Sequence, residues 1–87
     1  MMMDQPLDDF PAISLADVDT GRDVVLVALE GGHAFRHRLA EMGLTPGVQF
    51  KLLSKGHPGP YIILIKETRL VLGRGMTDAV MVRPVEL

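Results

Sequence analysis

Arg38-Leu39-Ala40-Glu41-Met42-Gly43-Leu44-Thr45-Pro46-Gly47 is the stretch where the chain changes from one kind of structure to another. Just upstream, Phe35, Leu39 and Met42 recur at i, i+4 and i+7, the spacing that aligns three apolar groups on one helical face, so a helix is predicted over 33–42. Gly43 then supplies the left-handed residue beyond the helix end, and Leu44 covers the last turn in a Schellman-type cap. Pro46 and Gly47 fit the two central positions of a type II turn, because proline presets φ and glycine accepts the positive φ that follows. A helix is stopped here and the chain is turned into a strand.

Outward from this corner the pattern is β. Upstream, Val24 to Leu29 is short, aliphatic and bounded by turn residues, which predicts a buried strand ended by Gly31-Gly32. Downstream, strands are predicted over 48–53, 61–66 and 69–72, with a tight hairpin turn at Lys66-Glu67-Thr68 and a rigid exposed loop over 55–60. Gly73 and Gly75 break the ladder, Met76 to Ala79 makes one helical turn, and a last strand runs over 80–83. Ser14 to Val18 caps a helical turn or docks as a short edge. Five short strands with one short helix after the first describe a mainly β domain, a small and partly closed barrel. Residues 1–13 read as a flexible acidic arm and residues 14–87 as the domain.

Composition narrows the function classes. Eighty-seven residues allow one domain, and no apolar run approaches the about 20 residues that cross a bilayer, so direct membrane insertion is not expected. The absence of cysteine removes disulfides and thiolate chemistry, and the acidic start does not resemble a secretory signal, so a cytoplasmic location is expected. A net charge of −2 gains little from phosphate neutralisation, which argues against nucleic acid. Charge is uneven, however: six aspartates precede Val24 against Arg22 alone, whereas the remainder is weakly basic.

The order and spacing of these landmarks resemble the ferrous iron transport protein A (FeoA) family. The carriers are Arg38-Leu39 with Gly43-Leu44-x-Pro46-Gly47, Leu15 and Gly21 before the first strand, the Gly31-Gly32 pair, and Leu70-Val71-Leu72 followed by Ala79-Val80-Met81-Val82. The resemblance spans residues 14–84. It implies an SH3-like β-barrel that supports ferrous iron uptake in the cytoplasm. It also implies a partner, the cytosolic GTP-binding portion of the membrane ferrous iron transporter (FeoB-type), which would recruit the protein to the inner membrane. The same domain resembles the C-terminal module of iron- and manganese-dependent repressors, but the chain has no helix-turn-helix segment.

No nucleophile motif, phosphate loop or carboxylate couple is present, so the expectation is a non-enzymatic accessory protein with no required cofactor. The alternative is a metal-binding or sensing module. His33 and His37 stand one helical turn apart with Glu41 a turn further, a pattern that could hold a weak divalent iron or zinc ion, with His57 joining from another molecule. These groups lie opposite the apolar helical face, so they are expected to be exposed, and a site with two firm ligands needs more to hold metal tightly. Scarce aromatics argue against a proline-peptide groove. The partner-binding candidates are therefore Arg36, Arg38, Leu44, Thr45, Lys55 and Arg74, a basic rim around exposed aliphatics, with Gly43, Pro46 and Gly47 as the structural motif beneath. A homodimer through exposed strand edges is a further possibility.

Overall fold

The computed structural model describes residues 11–56 and 58–85. Six strands and one helix follow in the order β1 (Ile13–Ser14), β2 (Asp23–Leu29), α1 (His33–Glu41), β3 (Gln49–Ser54), β4 (Tyr61–Ile65), β5 (Thr68–Leu72) and β6 (Val80–Pro84), with 3-10 turns at Leu15–Asp17 and Arg74–Ala79. The strands form one antiparallel sheet in the order β1-β6-β2-β3-β4-β5. The expectation of a mainly β, SH3-like domain holds, with two differences. A sixth strand exists, because Ile13 and Ser14 pair with Val82 and Met81, and the sheet is not closed. Order thus reaches back at least to Ile13, one residue before the predicted start; residues 1–10 of the acidic arm lie outside the described residues.

Burial alternates along the strands even where the sequence is apolar throughout. On β4, Tyr61, Ile63 and Ile65 are buried while Ile62 and Leu64 are half-buried, the period-two signature of a sheet with one core face. Val24 and Leu26 of β2, Phe50 and Leu52 of β3, and Val80 and Val82 of β6 complete that face. Leu39 enters from α1, flanked by Phe35 and Met42, so the predicted helical stripe is the one that packs. Leu15 and Val18 close the core from the first 3-10 turn.

Two bulges bend the sheet. The β2–β6 register shifts between Leu26 and Ala28, and the β3–β4 register shifts between Leu52 and Ser54. An extra residue on one strand increases local twist and re-aims the side chains beyond it. In β2 this leaves Val27, Ala28 and Leu29 half-buried, so the strand predicted to be wholly buried keeps an accessible apolar end.

Small polar links hold the two 3-10 turns together. Ser14 Oγ accepts from Ala16 N at 3.0 Å and donates to Thr77 O at 3.1 Å. Thr77, itself 1% exposed, donates its hydroxyl to Arg74 O at 2.9 Å. Among the described residues no buried side-chain nitrogen or oxygen lacks a partner.

Candidate functional site, a groove at the helix–turn corner

The corner forms as its residue types dictate. Gly43 has φ +99°, and the Schellman pair is complete: Leu44 N donates to Leu39 O and Gly43 N to Ala40 O, each at 3.0 Å. Gly47 has φ +96°, and Val48 N closes the turn onto Thr45 O at 3.1 Å. The turn is then clipped to β2, because Gly47 N donates to Leu26 O at 2.8 Å and Leu26 N to Val48 O at 2.9 Å. Helix, turn and strand are therefore fixed to one another by backbone bonds.

Between them lies an open groove of about 300 Å³, lined by Val27, Ala28 and Leu29 of β2, Arg36 and Ala40 of α1, and Leu44 and Pro46 of the turn. Six of the seven lining residues are apolar and one is a cation. Arg36 is exposed, and its side chain makes no hydrogen bond or ion pair among the described residues. Such a surface suits an apolar side chain accompanied by a carboxylate.

The predicted rim is divided by the structure. Arg36 stands at the groove, but Arg38 lies on another side of the helix, among His33, Ala34, His37 and Glu41. Leu44 is 0% exposed: it caps the helix, packs in the core and forms the floor of the groove. Thr45 is exposed beside that floor. Lys55 and Arg74 are already engaged by the protein's own backbone. Lys55 Nζ donates to Ala16 O at 3.0 Å, and Arg74 Nη1 donates to Lys55 O, Gly56 O and Gly59 O at 3.2, 2.9 and 3.4 Å. The Arg74 guanidinium also sits 5.8 Å from the Tyr61 ring centre. Lys55 is thus tied to the first 3-10 turn and Arg74 gathers the carbonyls of Lys55, Gly56 and Gly59, whereas Arg36 has no such partner among the described residues.

His33, His37 and Glu41 line one exposed ridge, as their spacing predicts. The two imidazoles stack with centres 6.2 Å apart, and His37 Nδ1 lies 3.8 Å from Glu41 Oε2, both side chains about two-thirds exposed at 65% and 68%. Arg38 adds a positive charge beside them. Among the described residues no group of three or more metal-ligating side chains is gathered. His57 lies outside the described residues.

The lining residues Val27, Ala28, Leu29 and Ala40 escape a reading of the sequence. An unbroken aliphatic run signals burial, and only the bulge turns its end outward. The one available signal is Ala40, a small residue four positions after Arg36 and so on its side of the helix.

The fold is an open, antiparallel SH3-like sheet carrying one capped helix and a shallow, mostly apolar groove, and among the described residues no helix is long and apolar enough to cross a membrane. The FeoA domain model matches residues 13–84, and the chain belongs to the FeoA domain family. It is 31% identical over 72 residues, 83% of this chain and 87% of the relative, to the "Putative Fe(2+) transport protein A" of Methanocaldococcus jannaschii. The crystal structure of an iron uptake regulatory protein (FeoA) superposes with a TM-score of 0.78 at 34% identity, covering 87% of this chain and all of that one. The manganese-activated repressor ScaR shares the fold, with a TM-score of 0.76 at 15% identity over 84% of this chain and 35% of its own.

Proposed function

We propose that this protein is a non-enzymatic, cytoplasmic accessory of ferrous iron transport that works by contact with the cytosolic GTP-binding portion of a membrane ferrous iron transporter. Family membership and the names of the relatives support the process. The observation that carries the mode of action is the rigid apolar groove with Arg36 at its lip. A contact of this kind changes the transporter's cycle only if the groove binds one of the partner's states more tightly than another, and recruitment to the inner membrane follows from the same contact.

The test is a binding titration of the domain against the transporter's cytosolic portion. Ala40 is exposed, so Ala40→Trp fills the groove while leaving the core intact; it should weaken binding at least about tenfold with an unchanged melting temperature. Equal affinity of wild type and variant would remove the groove from the interface.

A second reading is a divalent iron or zinc site on the ridge, favoured by the adjacent His33 and His37 rings and the Glu41 carboxylate. Titration of the metal-free protein with ferrous and zinc ions separates the two readings. Micromolar binding lost in His33→Ala and His37→Ala would support the metal reading, and transporter binding that ignores those substitutions would support the groove.

A further inference from the structure

β2 loses its partner on one side halfway along. Its ladder with β3 runs only from Asp23 to Val25, and Leu26 extends it by its two bonds to Gly47 and Val48. Beyond Leu26 no strand among the described residues pairs with that side, and the groove opens along Val27 to Leu29 instead. A half-free strand edge beside an apolar floor is a seat for an extended segment, whose main chain meets the edge while its side chains fill the groove. Arg36 stands exposed at the lip with no partner among the described residues, so the segment that fits is an acidic one.

We infer that this seat is taken by the chain's own residues 1–10, so that the protein carries an intramolecular competitor for its groove. Composition matches the seat. The segment holds Asp4, Asp8 and Asp9 with no lysine or arginine, and its apolar residues stand next to acids at Met3-Asp4, Leu7-Asp8 and Asp9-Phe10. Reach selects among these pairs. Ile13 and Leu26 flank Val82 from opposite sides, so the arm joins the sheet two strand spacings, about 10 Å, from β2. β1 and β2 are both antiparallel to β6 and hence parallel to each other, so the arm leaves towards the Asp23 end and folds back to the groove. At about 3.3 Å per residue Phe10 reaches only about 10 Å from Ile13, whereas Leu7 reaches about 20 Å and Met3 about 33 Å. Leu7-Asp8 and Met3-Asp4 are therefore the pairs that meet the groove and Arg36. Tethering supplies an effective concentration on the order of millimolar, so even a weak contact holds a fraction of the molecules closed. Where the groove is also the transporter's seat, as proposed above, the arm lowers the apparent transporter affinity by that fraction.

The chain has no cysteine, so a spin label on Gln5→Cys reports the arm alone. In the full chain the amides of Val27 to Leu29 and Ala40 should broaden selectively, while those of β5 should stay sharp. Arg36→Glu should remove the broadening. Asp4→Lys with Asp8→Lys on that background should restore it, a charge exchange that isolates the pairing from general exposure. Against the transporter's cytosolic portion, Asp4→Asn with Asp8→Asn should tighten binding at least about threefold with an unchanged melting temperature. Groove amides that stay sharp, broadening spread evenly over the domain, or broadening indifferent to Arg36→Glu would overturn the inference. The two readings fail separately: selective broadening at the groove with a transporter affinity indifferent to the arm's charge would uphold the arm's seat and remove the groove from the transporter contact.

Discussion

Gly43 and Arg36 show how single residues divide between architecture and function. A Cβ on Gly43 would meet only Ile65 Cδ1 at 3.7 Å, an ordinary contact, so the demand for glycine comes from the backbone at φ +99° and not from crowding. Gly43→Ala should therefore cost about 1–2 kcal/mol in chemical denaturation, with the native fold retained. The opposite case is the β4–β5 turn, where Lys66 and Glu67 hold φ values of +49° and +68° without being glycine. Both central residues of a type I′ turn need positive φ, so Glu67→Gly should stabilise the domain by up to about 1 kcal/mol in the same assay. Arg36→Glu should weaken transporter binding clearly, whereas Arg38→Glu, on the histidine ridge, should change it little; both should melt like the wild type. Equal losses from the two reversals would mean that general charge, and not the groove, governs the contact.

Among the elements, the two 3-10 turns depend on each other through Ser14. Its hydroxyl both caps the first turn and bonds Thr77 O in the second, so Ser14→Ala should cost about 1–2 kcal/mol and lower the melting temperature by several degrees. Local signals made α1, its Schellman end, the type II turn and the short apolar strand β4 legible from sequence, because each follows from residues close together in the chain. What escaped depends on distant partners. Arg74 finds the carbonyls of Lys55, Gly56 and Gly59 only once the chain has folded, so a basic residue near glycines read as open surface. Leu44 read as surface because a hydrophobe after a helix either covers its last turn or faces solvent, and only tertiary packing decides. The accessible end of β2 depends on a bulge set by pairing with β6. The candidate site was thus half legible: the corner and Arg36 were, the groove beside them was not.

At the scale of the whole molecule, an open sheet wrapped around one core leaves three distinct surfaces: the groove at β2 and α1, the histidine ridge, and the β5 edge. The groove joins an apolar lining to Arg36, a cation without a partner of its own among the described residues. Apolar burial resists salt while the Arg36 contribution is screened, so transporter affinity should fall only modestly as salt rises towards 1 M. A steep decline would point to an interface made of charge alone. The most direct test of the groove is amide chemical-shift mapping of the labelled domain during titration with the transporter's cytosolic portion. Perturbations should concentrate at Val27 to Leu29, Arg36, Ala40 and the 44–47 turn; shifts gathered on the ridge or on β5, with those residues silent, would contradict the account.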